Sequence, residues 1–326
     1  MSKGGMSKIL VTGACGQIGS ELVLALRERY GGENVVATDI EETNRALRDA
    51  GPFEFMDVTQ RGAIGAVVDR YRVDTIYHLA AILSATGEKK PQLAWDVNIN
   101  GLYKILEIAR ERRVTRVFCP SSIAAFGPDT PRDNTPQETI LRPTTMYGVT
   151  KVAGELLCDY YFQRFGLDVR GVRYPGIISS ETLPGGGTTD YAVEIFYEAI
   201  KHKRYTCFLK EDSVLPMMYM PDCIKATLDL METDLSRLEH HADFNLAAFS
   251  FGPAELVAEI QKHIPEFTCE YKPDFRQAIA DSWPRTIDDS AAREEWDWEP
   301  EYDLAAMTAD MLEKLGKKYA EGKLQV

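Results

Sequence analysis

A tyrosine and a lysine stand four residues apart in the segment YGVTK, as Tyr147 and Lys151. This spacing is about one helical turn, so the two side chains can share one face of a helix. A phenol, with an ordinary pKa of about 10, is a poor base at neutral pH, but a nearby ammonium and a nicotinamide cation favour the phenolate. Upstream, Ser121 and Ser122 in PSSIAAFG offer hydroxyls that can hold a substrate oxygen. These residue types suit proton removal from an alcohol coupled to hydride transfer.

A glycine-rich turn in ILVTGACGQIGSEL places Gly13, Gly16 and Gly19 where a predicted strand meets a predicted helix. The first glycine permits a tight turn, the second lets the backbone approach a pyrophosphate, and the helix N-terminus adds its dipole. Gln17 and Ile18 belong to the same turn. The GxxGxxG spacing alone is also typical of a turn with close helix packing, so its context decides.

Asp39 ends the predicted strand NVVATDI, twenty residues after Gly19. A carboxylate at that place can accept hydrogen bonds from both ribose hydroxyls of an adenosine and would repel a 2′-phosphate. The sequence therefore favours NAD over NADP as the cofactor. Arg45 and Arg48 follow on a predicted helix, where contact with water is the simpler interpretation.

The ends of the next two predicted strands are further candidates for contact with a cofactor. Asp57 and Val58 in FEFMDVTQ end the third strand, where they can meet an adenine edge, although Asp57 can equally cap the next helix. His78 in HLAA is interpreted as a buried structural residue rather than a base. Small residues then leave space for a ligand at the carboxyl edge of the sheet. They are Leu79, Ala80 and Ala81.

Short β-branched segments alternate with amphipathic segments over the first 175 residues. KILVTG, NVVATDI, TIYHLAA, RVFCPSS and DVRGVRYPG are predicted strands, and apolar residues recur at helical spacing between them. This alternation predicts an α/β fold with a Rossmann-type, doubly wound parallel sheet. We expect residues 1–175 to form the dinucleotide domain and residues 176–326 mainly a small substrate-binding lobe, with later segments returning to the main sheet.

Composition excludes several classes of protein. The 326 residues carry a formal net charge of -13, which argues against nucleic acid or an anionic membrane surface as a partner. The start, MSKGGMSKILVTG, leaves no room for a targeting peptide, and we expect a cytoplasmic location. The six cysteines and five histidines show no metal-ligand spacing, so neither a zinc site nor a disulfide framework is expected.

Taken together, these motifs resemble the extended short-chain dehydrogenase/reductase family, which includes the sugar-nucleotide epimerases. The glycine turn, Asp39, HLAA, Asn98 in NINGL, the serine pair and YxxxK follow the family's order over nearly the whole chain. The resemblance implies that Lys151 holds the cofactor ribose and that Asn98 kinks its helix and holds a relay water. Counting back from Gly127 and Tyr147 favours Ser122 as the catalytic serine, whereas the narrower family described next favours Ser121, so both remain candidates.

Longer segments resemble the short-chain type of L-threonine 3-dehydrogenase within this family. They are PSSIAAFGPDTPRDNTPQ, TMYGVTKVAGE, RYPGIIS, the Gly-rich loop LPGGGTTDYAVEIF and ADSWPRTIDDSAAREEW. The resemblance implies metal-independent oxidation of the β-hydroxyl of L-threonine by NAD to 2-amino-3-oxobutyrate, which a partner CoA ligase can cleave. It also implies that Tyr174, Pro175 and Ile177 line the nicotinamide side.

The same resemblance supplies candidates for substrate binding. Ser84, Thr188 and Thr189 offer hydroxyls, although the two threonines at a helix N-terminus can also be only a cap. Asp190 can pair with the substrate ammonium or fix its own loop, and both interpretations stay open. Trp283 can close the pocket or simply be packed in the core. A homodimer through two helices with apolar stripes, including Leu106, Leu156, Tyr160 and Tyr161, is a further expectation, although these stripes can equally pack on the sheet.

The alternative function is that of a sugar-nucleotide epimerase, dehydratase or reductase. Those enzymes usually carry an asparagine where this chain has Gly176, and the loop that follows lacks the basic residues that a diphosphate requires. A non-catalytic NAD sensor is a third possibility, but such proteins tend to lose the tyrosine or the lysine, and both are present here.

Overall fold

The computed structural model of the chain describes residues 6–42, 44–183 and 185–324. Its centre is a six-stranded parallel sheet of β1 (Ile9–Thr12), β2 (Val35–Asp39), β3 (Phe53–Phe55), β4 (Thr75–His78), β5 (Arg116–Phe118) and β7 (Asp168–Arg170). The short strand β6 (Ser121–Ser122), between β5 and β7 in the chain, belongs to another sheet. The spatial order is β3-β2-β1-β4-β5-β7. The chain thus winds outward from β1 in one direction and then in the other, which confirms the predicted doubly wound fold.

Helices cover both faces of this sheet. They are α1 (Gln17–Tyr30), α2 (Arg45–Asp49), α3 (Arg61–Tyr71), α4 (Ser84–Lys89), α5 (Pro91–Trp95), a π-helical segment Asp96–Gly101 that continues into α6 (Leu102–Arg112), and α7 (Met146–Phe165). Leu22, Val23 and Leu26 of α1 pack on one face, where Ile9 and Val11 of β1 point. Apolar residues of α3, α6 and α7 pack on the other face. The alternation of side chains along β1 therefore supplies two separate cores.

Two predicted strands are broken in the structure. The prediction of one strand over 116–122 is wrong, because the chain leaves the main sheet between β5 and β6. The prediction of one strand over 168–176 is also wrong, since it divides into β7, β8 (Val172–Tyr174) and the start of β9 (Gly176–Ile178). At the first division of this second segment, a Cβ on Gly171 would lie 2.2 Å from the carbonyl oxygen of Cys119, so two backbones cross too closely for a side chain. The bends place β6, β8 and β9 outside the main sheet.

The later segments build a second layer beside the main sheet. Its strands are β10 (Arg204–Cys207), β11 (Leu215–Tyr219), β12 (Phe244–Asn245), β13 (Phe249–Phe251) and β14 (Thr268–Tyr271). Its helices are α8 (Tyr191–His202), α9 (Met220–Glu232), α10 (Pro253–Gln261), α11 (Arg276–Ala280), α12 (Ser290–Trp296) and α13 (Leu304–Ala320). Helices α8, α10 and α13 enclose a core of their own, whereas α9 and α12 pack into the core around α1. Later segments therefore return to the main sheet, and the division at residue 175 stays a prediction.

Three general features bear on function. Within the described ranges, no helix combines the length and apolar character that crossing a bilayer requires. The same ranges contain no group of three or more His, Cys, Asp or Glu side chains placed to hold a metal ion. All six cysteines are free thiols.

Candidate active site

The three glycines of the turn between β1 and α1 differ in how closely the protein packs around them. Gly13 has a φ of +68°, and a Cβ there would lie 2.6 Å from the amide nitrogen of Ala80. A Cβ on Gly19 would lie 2.2 Å from the carbonyl oxygen of Gly13. At Gly16 the nearest atom, the carbonyl oxygen of Gly13, would be 3.3 Å away, a tight contact but a much milder one than at Gly13 or Gly19. The open side of Gly16 faces the cleft described next.

A cleft of about 1050 Å³ opens at the carboxyl ends of β1 and β4 and extends under the second layer. It brings together most of the site residues predicted from the sequence. These are Gly13, Gly16, Gln17, Ile18, Gly19, Leu79, Ala81, Ser84, Ser121, Ser122, Tyr147, Lys151, Tyr174, Pro175, Ile177, Thr188, Thr189, Asp190 and Trp283. Gly176, which replaces the asparagine of the sugar-nucleotide enzymes, and Gly187 of the Gly-rich loop also line the cleft. Three further lining residues were not predicted, namely Leu83, Pro120 and Ile123. Their type carries no chemical signal in the sequence, and only their position next to functional residues could have indicated them.

Tyr147 and Lys151 lie on the first turns of α7, which Thr145 begins by accepting a hydrogen bond from the Gly148 amide at 3.0 Å. Tyr147 is largely buried, with 8% of its surface exposed. The Lys151 Nζ lies 5.4 Å from the centre of the Tyr147 ring and donates to the carbonyl oxygen of Pro120 at 2.7 Å. The helix thus directs a phenol and an ammonium into the same part of the cleft.

The two candidate serines differ in their hydrogen bonds. The Ser121 hydroxyl is buried and donates to the carboxylate of Glu155. The Ser122 Oγ accepts from the amide of Ala124 at 3.2 Å and begins a short 3-10 helix. Both serines line the cleft, so position alone does not choose between them.

Asn98 lies outside the large cleft, in the π-helical segment that precedes α6. Its Oδ1 accepts from the amide of Ile82 at 2.8 Å, and its Nδ2 donates to the Ile82 carbonyl at 3.1 Å and to the Thr150 hydroxyl at 3.0 Å. The side chain therefore joins the segment after β4 to helix α7. It also lines a smaller cavity that Lys151 reaches from the other side.

Hydroxyl groups and one carboxylate line the end of the cleft under the second layer. The hydroxyls of Ser84 and Thr188 lie 3.4 Å apart. Asp190 Oδ2 accepts from the amides of Gly186 at 3.0 Å and Gly187 at 2.7 Å. Burial raises the pKa of Asp190 to about 6 against the opposing effect of these two amides. Asp190 therefore fixes the glycine loop.

Trp283 is 4% exposed, lines the cleft and is packed in the second core. Trp283 therefore belongs both to the core and to the cleft wall, and its role in closing the pocket stays a prediction. Gly176, which lies opposite Met217 in the pairing of β9 with β11, has no space for a side chain. A Cβ there would lie 2.3 Å from the Sδ of Met217 and 2.8 Å from the Cβ of Thr189.

Besides Asn98, four predicted cofactor residues do not line the large cleft. Asp39 accepts from the amides of Cys15 at 2.8 Å and Ile40 at 2.7 Å, which places its carboxylate beside the glycine turn. Ala80 packs against Gly13. Asp57 is exposed and accepts from the amide of Thr59 at 2.8 Å. It does not cap α3, whose N-cap is Gln60, so the capping interpretation is wrong. Val58 is buried against Gly101.

His78 is buried, and its Nδ1 lies 2.8 Å from the Thr12 hydroxyl. Burial, with a smaller effect of the Lys151 charge, lowers the pKa of His78 to about 3. A neutral imidazole held inside the protein agrees with the structural role expected from the sequence.

Comparison with known proteins places this site in a family. The profile of the NAD dependent epimerase/dehydratase family matches residues 9–247. The chain belongs to this family. An uncharacterized epimerase/dehydratase of Staphylococcus haemolyticus is 55% identical over 315 residues, covering 96% of this chain and 99% of that protein. The name of this relative gives the family and indicates no substrate.

Solved structures of the family add closer comparisons. The L-threonine dehydrogenase of Clostridium difficile is 53% identical with a TM-score of 0.94, covering 96% of this chain and 98% of that chain. The L-threonine dehydrogenase of Phytophthora infestans is 55% identical with a TM-score of 0.92, covering 96% and 100%. A UDP-glucose 4-epimerase of Thermotoga maritima, at 22% identity and a TM-score of 0.83, shares the family's fold.

Proposed function

We propose that this enzyme is an NAD-dependent L-threonine 3-dehydrogenase that needs no metal ion. The packing at Gly176 carries the proposal, because Thr189 and Met217 occupy the space that a side chain would need. The result is an end of the cleft that is lined by hydroxyl groups and has no side chain at position 176, which suits an amino acid. The names and extensive similarity of the two L-threonine dehydrogenase structures support the same substrate.

The residues around the glycine turn fit NAD. Gly16 leaves the backbone open to the cleft at the start of α1, where amide groups and the helix dipole favour a pyrophosphate. Asp39 lies beside this turn with a carboxylate suited to ribose hydroxyls. Arg48 pairs with Glu42 at 2.9 Å and Arg45 pairs with Asp49 at 3.8 Å. Both arginines thus have acidic partners on the exposed surface, and this arrangement favours NAD over a cofactor with a 2′-phosphate. Bound NAD would supply the acceptor for the hydride from the β-carbon of L-threonine.

The chain's own residues carry the proton chemistry in this proposal. The Tyr147 phenolate removes the proton from the β-hydroxyl, and a hydroxyl of the serine pair holds the same oxygen. The Lys151 ammonium stabilises the phenolate and binds the cofactor ribose. Asn98 holds the backbone after β4 and, through Thr150, the helix that carries both groups.

Ser84, Thr188 and Thr189 bind the polar groups of the amino acid, and Trp283 excludes water above them. Asp190 keeps the glycine loop closed over the substrate. The product is 2-amino-3-oxobutyrate, which fits threonine catabolism in the cytoplasm and coupling to a CoA ligase.

The sugar-nucleotide alternative is less well supported by the cleft. Among its described lining residues, Lys151 alone is basic, and its ammonium is already bonded to the carbonyl of Pro120. A nucleotide diphosphate would need further cations. The absent side chain at Gly176 points the same way.

The decisive experiment follows NADH absorbance with purified protein, NAD and L-threonine, beside L-serine, L-allo-threonine and a UDP-sugar. We expect NADH from L-threonine in preference to the other compounds. The proposal fails if L-threonine gives no signal.

Tyr147→Phe should lower kcat by about 10²–10⁴-fold, the usual contribution of a positioned base, while NAD affinity is kept. A Phe variant with nearly full activity would exclude Tyr147 as the base.

A homodimer is part of the proposal. Leu106 and Tyr161 are buried in the core, so these two members of the apolar stripes follow the alternative of packing on the sheet. Leu156 and Tyr160 on α7 are 66% and 53% exposed, and Tyr103 on α6 is 50% exposed. These residues give the two helices an apolar outer face that a second copy would cover. Light scattering should give twice the 36.6 kDa chain mass, and a monomer at micromolar concentration would contradict it.

A further inference from the structure

The contact between Ser121 and Glu155 is not explained by the proposed chemistry so far. Glu155 is 5% exposed and lies one helical turn after Lys151 on α7. Its Oε1 accepts the hydrogen of the Ser121 hydroxyl, and Ser121 also lines the large cleft. A hydroxyl has a single hydrogen, so this contact leaves Ser121 with only acceptor lone pairs for a ligand.

Arg173 on β8 holds the Glu155 carboxylate in place. Its Nε donates to Oε1 at 3.0 Å and its Nη2 donates to Oε2 at 2.9 Å, a bidentate pair in which both side chains are buried. The guanidinium is fixed in turn by the Gln137 carbonyl at 3.0 Å, the Asn245 Oδ1 at 3.1 Å and the Asp243 Oδ2 at 3.3 Å. A carboxylate held at both oxygens by a rigid partner is a fixed acceptor for the serine.

Ser122 has the opposite arrangement. Its Oγ accepts from the Ala124 amide, and its own hydrogen remains available to a ligand. The serine pair thus presents two different polarities to the cleft, and Glu155 determines the polarity of one of them. A simple structural ion pair on the helix would not require the extra hydrogen bond to a residue of the cleft wall.

We propose that Glu155, clamped by Arg173, is a positioning residue that fixes the orientation of the Ser121 hydroxyl and makes its oxygen an acceptor toward the substrate. This inference rests on the proposed function for its substrate. The Ser121 oxygen then binds a donor group of the amino acid, and the Ser122 hydroxyl is the donor to the reacting oxygen. The arrangement assigns separate tasks to two serines that the sequence could not distinguish.

Glu155→Asp provides the sharpest test, because it keeps the charge that Arg173 needs and shortens the reach toward Ser121 by one methylene. We expect kcat/KM for L-threonine to fall roughly tenfold to hundredfold, the effect of a misplaced group in an active site, with NAD affinity within about twofold of wild type. Asp243→Asn is the matched control, since it changes another carboxylate that contacts Arg173 but does not contact Ser121. It should keep kcat/KM within about twofold of wild type.

A double-mutant cycle with Ser121→Ala separates positioning from general destabilisation. If Glu155 acts through Ser121, the double variant is no less active than the weaker single variant. Losses that multiply, or a fully active Glu155→Asp enzyme, would overturn the inference. Thermal melting of each variant checks folding, and Glu155→Gln adds a second substitution that keeps the length of the side chain.

The proposed function and this inference can fail separately. A wild-type enzyme that does not oxidise L-threonine overturns the proposed function only. Crystal structures of wild type and Glu155→Asp then decide the inference without any activity. A Ser121 side chain that turns away from its wild-type orientation supports it, and one that keeps the same orientation and partner refutes it.

Discussion

Replacing Gly176 with alanine tests the packing that defines the substrate end of the cleft. The added Cβ would lie 2.3 Å from the Met217 Sδ and 2.8 Å from the Thr189 Cβ, whereas ordinary van der Waals contact begins at 3.4 Å. The Met217 sulfur lies on a flexible side chain and can swing aside. The Thr189 Cβ is attached to the backbone and must move by about 0.6 Å, the difference between 3.4 and 2.8 Å. The substitution therefore displaces a proposed substrate ligand.

The size of the effect follows from this displacement. Binding groups in active sites are held within about 0.5 Å of their productive positions, and a shift of about 1 Å can cost roughly 10²-fold. We expect kcat/KM for L-threonine to fall about tenfold in Gly176→Ala, mainly through KM, because roughly half of that shift is imposed. Overpacking should also lower the free energy of unfolding by about 1–3 kcal/mol.

Steady-state kinetics with L-threonine, together with thermal melting, measure both effects. Gly65→Ala is the matched control, because it adds the same methyl group to a buried glycine in α3 at an ordinary 3.5 Å from the Ile108 Cδ1. It should leave kinetics unchanged and stabilise the helix by up to about 1 kcal/mol. If Gly176→Ala keeps the wild-type KM and melting temperature, Thr189 is not the close neighbour and substrate ligand described here.

Two further outcomes are expected at the two ends of the cleft. Gly16→Ala should fold with only a modest loss of melting temperature, because the added Cβ would meet the Gly13 carbonyl oxygen at 3.3 Å, yet bind NAD at least about tenfold more weakly in a fluorescence titration. Normal NAD affinity would show that no pyrophosphate approaches Gly16. The kcat/KM of the wild type should fall as the pH drops below about 6, since burial raises the Asp190 pKa to that value and the protonated acid loses the charge that holds two loop amides. Asp190→Asn cannot titrate and should lack this acid limb in a pH profile, and an unchanged limb would assign it to another group.

Local patterns predicted the doubly wound parallel sheet. Helices occupy residues 17–30, 61–71 and 191–202, where apolar residues recur at helical spacing in the sequence. The glycine turn and Asp39 are neighbours in the structure because parallel strands end at the same edge of a sheet. Such information is contained in short segments of sequence.

Contacts between distant segments could not be predicted in this way. The hydrogen bond from Ser121 to Glu155 depends on Arg173, which reaches the same place from another strand. The breaks after β5 and β7 depend on the close crossing of Gly171 and Cys119. A glycine inside a strand pattern can indicate such a crossing, but nothing in the sequence identifies Cys119 as the partner. Asp57 accepts the local amide of Thr59 through Oδ1, and its carboxylate has further acceptor sites, so a contact with an adenine edge stays a prediction.

The two ends of the cleft are built independently of one another. Packing within the main sheet, such as the contact of Gly13 with Ala80, shapes the cofactor end. The substrate end depends on the pairing of Gly176 with Met217 and on Thr189 of the following loop. A larger side chain at position 176 meets neighbours from two separate elements, so it cannot be accommodated there without displacing both. A change of substrate class would therefore require coordinated replacements in β9, β11 and the loop, while the cofactor end remains intact.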